Sequence, residues 1–305
     1  MKTLFIFGPT AVGKTSLSIE LAKQLNGEII SADSMQVYRG MDIGTAKPTM
    51  EERQGIPHHL INIRDPDEEW TVSDFVGECA RKSAELKTRG KTPIIVGGTG
   101  LYLWSLIEGF AFPITPADKE LRARLEIIPT STLYAQLSTI DPAAAAKIHA
   151  NDKKRIIRAL EVFELTGKPI SDLQKLRVKE PRRSVAGLDS LFCLTLPREV
   201  LYERINQRVD KMISSDLLAE VKTLLAKGYK KELPALQGLG YKEVIDYING
   251  VYPTEAVMIE ELKKRTRNFA RRQMTWFRRF NNVIWVEAAD PSSALAAINN
   301  GSETR

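Results

Sequence analysis

Short, continuous apolar runs recur along this chain at residues 4–7, 28–32, 94–97, 191–196 and 283–287. They are too brief for helices and are bounded by glycine, proline or polar turn residues, so each predicts a buried β-strand. Helical spacing fills the intervals, with apolar positions recurring every three or four residues at 14–25, 198–213, 216–227 and 254–280. Strands alternating with helices specify the α/β class, a parallel sheet with helices on both faces. The pattern changes between the third and fourth strands. Residues 113–187 hold no strong strand; Pro113 and Pro116 open the interval, Glu180-Pro181-Arg182-Arg183 closes it, and amphipathic pieces at 118–125 and 153–165 fill its middle. We therefore expect an inserted helical domain at 113–187 within a core made of 1–112 and 188–305. No internal repeat is visible, and 301–305 reads as a frayed tail.

The helix at 254–280 differs from the others. Leu262, Thr266, Phe269, Gln273, Trp276 and Phe280 fall on one stripe, and Lys263, Lys264, Arg265, Arg267, Arg271, Arg272, Arg278 and Arg279 surround it. No acidic residue interrupts from Leu262 to Phe280, so nothing within that stretch neutralises its charge. A single-sign helix carrying aromatics points to a nucleic-acid surface in preference to an ordinary solvated face.

Composition narrows the class further. The 305 residues are 43% hydrophobic, enough for one large domain with a substantial insertion. No stretch approaches the roughly 20 apolar residues of a membrane span, and the N-terminus enters a strand without a cleavable signal, so neither membrane insertion nor secretion is expected. Cys79 and Cys193 lie in helical and strand patterns as reduced core thiols, which fits the cytoplasm. Three histidines without ligand spacing argue against zinc, and His58-His59 reads as structural. The net charge of +6 suits a polyanionic partner.

The chemistry begins directly after the first strand. Gly8-Pro9-Thr10-Ala11-Val12-Gly13-Lys14-Thr15 is G-x-x-x-x-G-K-[ST], placed between a strand and a helix as a P-loop requires. The glycines let backbone amides curl around a phosphate, the helix end and Lys14 add positive charge, and the Thr15 hydroxyl can ligate Mg²⁺. The chain is thus expected to bind a di- or triphosphate on a P-loop NTPase-like sheet. Ligands of open α/β sheets gather beyond the carboxyl ends of the strands. Two further segments qualify: Asp33-Ser34-Met35-Gln36 and Gly97-Gly98-Thr99-Gly100. Asp33 is the sole carboxylate at those three strand ends, suited to holding Mg²⁺, to removing a proton from a nucleophile, or simply to capping a turn. Gln36 carries the donor and acceptor that suit an adenine edge. Thr99 can bring a hydroxyl close to a ligand. Arg204 and Arg208, four apart on the helix after the fourth strand, are cations for a transferred or leaving phosphate, or else a surface ion-pair face with Glu203 and Asp210.

At this point a resemblance becomes specific. The phosphate loop, the stretch from Ser31-Ala32-Asp33-Ser34-Met35-Gln36 through Asp42-Ile43-Gly44-Thr45-Ala46-Lys47-Pro48, and Gly97-Gly98-Thr99-Gly100-Leu101-Tyr102 resemble the tRNA dimethylallyltransferases. So do Arg155-Ile156-Ile157-Arg158-Ala159-Leu160-Glu161, Gly240-Tyr241-Lys242-Glu243 and Arg271-Arg272-Gln273-Met274-Thr275-Trp276-Phe277. The resemblance runs from residue 3 to about 287. It implies transfer of a dimethylallyl group from dimethylallyl diphosphate to the exocyclic amine of the adenosine 3′ of the anticodon, in tRNAs reading codons that begin with uridine. The loop would hold the donor's pyrophosphate with Mg²⁺, Lys14 and Arg208 would stabilise the leaving charge, Asp33 would accept the amine proton, and Thr99 would hold the substrate in line. By the same resemblance Asp33, Ser34, Met35, Gln36 and Thr99 contact the tRNA anticodon stem-loop, as do Lys154, Arg155, Ile156, Ile157 and Arg158. Arg271, Arg272, Gln273, Met274, Thr275, Trp276, Phe277 and Arg278 complete that set, and the helical insertion would close over the anticodon arm. A base doing chemistry in a buried site leaves its stack, so the adenine is expected to flip inward. A cytoplasmic monomer is expected. The competing readings are a P-loop kinase of a small metabolite, an adenylate isopentenyltransferase acting on free nucleotide, and a nucleotide-switched RNA-binding protein without catalysis.

Overall fold

The first apolar run becomes β1 (Leu4–Phe7), an interior strand of a six-stranded, wholly parallel sheet. The computed structural model describes residues 2–108, 118–177 and 190–303. In chain order β1 is followed by α1 (Lys14–Gln24), β2 (Gly27–Ala32), β3 (His58–His59), α2 (Val72–Thr88), β4 (Thr92–Gly97) and α3 (Gly100–Ile107). Helices α4 (Lys119–Glu126), α5 (Thr130–Ile140), α6 (Pro142–Ala145), α7 (Lys153–Thr166) and α8 (Ile170–Arg177) come next. The chain then forms β5 (Ser190–Thr195), α9 (Arg198–Ser214), α10 (Leu217–Ala226), α11 (Tyr241–Ile248), α12 (Glu255–Phe277), β6 (Ile284–Glu287) and α13 (Pro291–Glu303). The sheet order is β3-β2-β4-β1-β5-β6.

This is the expected α/β sheet, and β1 shows why the pattern was readable. All four of its residues are buried, as in a strand covered on both faces. Alternate side chains point to opposite faces. Leu4 and Ile6 join Leu17, Ile19, Leu21 and Phe192 in one core, whereas Phe5 and Phe7 join Phe75, Leu103 and Phe277 in the other. The five anticipated strands are present with ends shifted by a residue or two. The sixth, β3, was not anticipated; two residues carry no periodicity, and it exists because Ile29 and Ile30 of β2 pair with His58 and His59. His59 Nε2 bonds the buried Glu28 carboxylate at 2.7 Å. Cys79 and Cys193 are free and buried. Residues 301–303, expected as a frayed tail, continue α13.

The chain divides into two compact units, 1–107 with 185–305, and 108–184. The prolines and the Glu180 to Arg183 run taken as insertion boundaries lie outside the described residues. The smaller unit has its own core, built from Leu121, Leu125, Leu133, Leu137, Ile156, Ile157 and Leu160. Within it Glu161 is fully buried, accepting from Arg122 Nε at 2.8 Å, Arg158 Nη1 at 2.5 Å and the Asp118 amide at 2.8 Å. These partners hold its carboxyl below the usual range against the opposing pull of burial.

Candidate active site

Where β1 ends, Gly8 turns the chain so tightly past β5 that a Cβ there would stand 2.7 Å from the Leu194 carbonyl oxygen. Gly13 at φ +101° then caps α1 without a side-chain bond, and no acidic residue occupies the first turn. The amides of that turn are left for an anion. Lys14 folds back over the loop and donates from Nζ to the Gly8 and Pro9 carbonyls at 2.9 and 2.7 Å. Burial first and then the nearby Arg208 cation bring its pKa down to about 7, against the opposing pull of Asp33 and Cys193. Thr15 is exposed, and it lines one cleft together with Lys14, Ser18, Ser31, Asp33 and Gln36.

The second strand-end segment is a side-chain-locked turn. Asp33 Oδ1 accepts from the amides of Met35 at 2.8 Å and Gln36 at 3.3 Å, so the turn-capping role weighed from the sequence is real. Its Oδ2 makes no hydrogen bond among the described residues, which leaves a carboxylate oxygen for chemistry. Thr99 joins the second segment to the third: its Oγ1 accepts from the Ser34 amide at 3.0 Å, and its own amide donates to the Ala32 carbonyl at 3.3 Å. Gln36 is engaged at both ends of its amide. Its Oε1 accepts from Ser31 Oγ at 3.0 Å and its Nε2 faces the Thr45 and Ala46 carbonyls at 3.4 Å. In this geometry it braces the 31–46 segment and is not free to read an adenine edge.

Arg208, on α9, donates to the Thr45 carbonyl at 3.4 Å, and Asp33 is the first of the charges that oppose the lowering of its pKa by burial. The guanidinium of Arg204 lies beside Gly13, 3.9 Å from where a Cβ would stand. The alternative ion-pair face is not formed: Asp210 pairs with Lys263 at 2.9 Å and Glu203 accepts from Gln207 at 2.9 Å. Two cations of α9 are thus directed at the phosphate loop and its surroundings.

The basic helix departs from expectation in two ways. Its buried stripe runs through Met258, Leu262, Thr266, Ala270, Gln273 and Phe277, so Phe269 and Trp276 are half-buried at its margin and Phe280 lies beyond the helix end. Its charge is also partly neutralised, by acids of other elements and by Glu261 of its own. Lys263 pairs with Asp210, Lys264 with Glu261 at 3.1 Å, and Arg265 with Glu243 at 3.1 Å and Glu261 at 2.8 Å, while Arg267 donates to Asn206 at 2.6 Å. Arg271, Arg272, Arg278 and Arg279 are exposed and have no ion pair among the described residues. Two of them lie over rings, Arg279 above Trp276 at 5.0 Å and Arg272 above Phe269 at 5.8 Å.

Gln273 and Phe277, expected to contact tRNA, are buried instead, as are Ile156 and Ile157 in the core of the smaller unit. Gln273 is an internal brace. Its Oε1 accepts from the Thr10 amide at 2.9 Å and its Nε2 donates to the Gly98 carbonyl at 2.8 Å. It ties the phosphate loop, the 97–100 turn and α12 into one frame. Trp276 packs against Gly100 so closely that a Cβ there would lie 2.7 Å from its ring. Met274 is half-buried and Thr275 exposed. On α7, Lys154 and Arg155 are exposed and Arg158 is committed to Glu161. Among the described residues no group of three His, Cys, Asp or Glu side chains is placed to hold a metal, and no helix is long and apolar enough to cross a membrane.

A family model described as IPP transferase matches residues 36–280. A tRNA dimethylallyltransferase of Carboxydothermus hydrogenoformans is 50% identical over 296 residues, spanning 95% of this chain and 93% of that protein. One from Pelotomaculum thermopropionicum is 46% identical over 93% of this chain and 90% of its own length. The crystal structure of the full-length tRNA isopentenylpyrophosphate transferase from Bacillus halodurans superposes with a TM-score of 0.73 at 43% identity, covering 99% of this chain and 97% of the other. A eukaryotic dimethylallyltransferase captured acting on tRNA gives a TM-score of 0.82 at 32% identity, over 95% of this chain and 75% of that one.

Proposed function

The chain belongs to the IPP transferase family and is a tRNA-modifying transferase, and we propose that its phosphate loop holds dimethylallyl diphosphate while Asp33 serves as the base. The acceptor is the N6 amine of the adenosine 3′ of the anticodon in tRNAs reading UNN codons. That nitrogen attacks the allylic carbon, the carbon–oxygen bond to the diphosphate breaks, and pyrophosphate leaves. Asp33, through the oxygen not engaged in its turn, takes the proton lost by the amine. The loop amides, Lys14 and Arg208 stabilise the charge that grows on the leaving group. The observation that carries this reading is the position of Asp33, a carboxylate at the end of β2 in the cleft that Lys14 and Thr15 line.

Mg²⁺ fits the donor chemistry present. The Thr15 hydroxyl is exposed in the cleft and makes no hydrogen bond among the described residues, and a hard cation of this kind takes few protein ligands beside phosphate oxygens and water. Thr15 would hold the ion, which would supply further neutralisation of the diphosphate. Thr99 would orient the substrate from its place between the two strand-end turns. Arg271, Arg272, Arg278, Lys154 and Arg155 are the exposed cations that suit the tRNA backbone, and the adenine would reach Asp33 flipped out of its stack. The enzyme would act as a cytoplasmic monomer.

A kinase reading needs Lys14 equally, so the test turns on what leaves. Protein, Mg²⁺, unmodified tRNA and dimethylallyl diphosphate, without ATP, are expected to release pyrophosphate and to yield a prenylated adenosine by nucleoside mass analysis. Silence in that mixture, together with acceptor-dependent ADP formation when ATP is supplied, would overturn the assignment.

A further inference from the structure

We propose that Glu220 is a positioning residue for Arg208: its carboxylate gathers the turn at 42–44 and so fixes the Thr45 carbonyl that holds the guanidinium at the diphosphate site. Glu220 stands in the first turn of α10, where the helix is already capped by Asp216 accepting from the Ala219 amide at 3.1 Å. Its own carboxylate is directed elsewhere. Oε2 accepts from the amides of Asp42 and Ile43 at 2.9 and 2.7 Å, and Oε1 accepts from the Gly44 amide at 3.1 Å and the Tyr241 hydroxyl at 2.6 Å.

Three successive backbone N–H groups converging on one carboxylate form an anion nest, here filled by a side chain more than 170 residues away in sequence. The nest is fitted closely. Tyr241 is fully buried, and a Cβ on Gly44 would stand 2.5 Å from its ring. Lys47, buried on the far side of the turn, donates from Nζ to the Tyr38 carbonyl, Asp42 Oδ1 and Asn62 Oδ1 at 2.6–2.7 Å. The next residue along, Thr45, is locked by its hydroxyl donating to the Met41 carbonyl at 2.7 Å. Its carbonyl receives both Arg208 Nη2 and Gln36 Nε2, each at 3.4 Å. Among the described residues Arg208 has no carboxylate in ion-pair contact, so this carbonyl is the protein group that orients it. A charge misplaced by about 1 Å in such a site can cost on the order of 100-fold in rate.

The proposal rests on the transferase reading. Its test is a double-substitution cycle on tRNA-dependent pyrophosphate release with Glu220→Gln and Arg208→Ala. Gln is nearly isosteric but sets an N–H₂ donor against backbone amides that can only donate. We expect Glu220→Gln to lower kcat by about 10–100-fold while tRNA affinity stays within about twofold, and to cost nothing further once Arg208 is Ala. Tyr241→Phe, which removes one donor and keeps the ring, should give a smaller loss with the same dependence on Arg208, and it carries the test if Glu220→Gln does not fold. Losses that multiply independently of Arg208, or a fall in melting temperature with kcat intact, would overturn the role of Glu220. An inactive parent enzyme would instead sink the transferase reading itself.

Discussion

Gln273 donates a 2.8 Å hydrogen bond from Nε2 to the carbonyl oxygen of Gly98, while the other end of the same amide accepts from the Thr10 amide at 2.9 Å. The phosphate loop and the turn after β4 are therefore held at a fixed separation by one side chain of α12. A Cβ on Gly98 would meet Gln273 Nε2 at 2.4 Å, so any larger residue there must displace the amide.

Removing this tie should loosen the donor site. Gln273→Leu leaves Thr10 N–H and the buried Gly98 carbonyl without partners, at about 1–3 kcal/mol for each group left unsatisfied. Urea unfolding should shift to a lower midpoint, and KM for dimethylallyl diphosphate should rise more than the Kd for tRNA. Gly98→Ala should reproduce the donor defect by displacing the amide. Unchanged midpoint and donor KM in both variants would show that the bridge is dispensable.

The contrast between Gln273 and Lys14 explains what the sequence could reveal. Lys14 belongs to a contiguous motif whose strand, turn and helix lie within two dozen residues, so local spacing alone places it. Gln273 lies on a helix 263 residues from Thr10, and its role depends on how α12 packs against the sheet. A heptad-like count put Phe269 and Trp276 on the inner stripe, and packing chose Ala270 and Phe277 instead, one position along. Two of the partners that neutralise Lys263 and Arg265, Asp210 and Glu243, are likewise tertiary, and Glu260 and Glu261 just before Leu262 add local pairs, so a count begun at Leu262 overstated the free positive surface. Asp33 was visible as a strand-end carboxylate, while the division of labour between its two oxygens needed the turn geometry.

Asp33→Asn should preserve that turn, because the Asn carbonyl oxygen can still accept from the Met35 and Gln36 amides. It removes the base. Turnover is expected to fall by about 10²–10⁴-fold in single-turnover prenylation assays. Binding of tRNA, measured by filter retention, should change little because phosphate contacts dominate affinity. Near-normal turnover would end the assignment of Asp33 as proton acceptor.

The charge pattern of α12 makes a sharper statement about RNA. Arg271, Arg272 and Arg278 carry no ion pair among the described residues, whereas Lys263, Lys264 and Arg265 are paired. Neutralising Arg271 and Arg272 together should flatten the dependence of log K on log salt by about 0.7–0.9 for each phosphate that the helix no longer neutralises. Lys264→Gln should leave the slope at the parental value. Equal slopes in all three proteins would mean that this helix faces solvent in the complex.

Lys14 links donor binding to protons. Burial, its largest influence, and the neighbouring Arg208 bring its pKa to about 7, so above that pH the free enzyme holds a largely neutral amine that bonds the Gly8 and Pro9 carbonyls. A diphosphate in the loop favours the ammonium, so binding at pH 8 should take up a proton, and affinity should weaken as pH climbs past 7. The folding balance has the opposite sign. The folded pKa lies below the unfolded value of 10.5, so between pH 7 and 10.5 the unfolded chain binds more protons and this residue's contribution to stability rises with pH. Calorimetric titration with pyrophosphate at pH 8, in two buffers of different ionisation enthalpy, should show net proton uptake in the parent. Lys14→Met should abolish that uptake and leave only the ligand's own ionisation. Identical proton counts in the two proteins would show that Lys14 is already charged before the donor arrives.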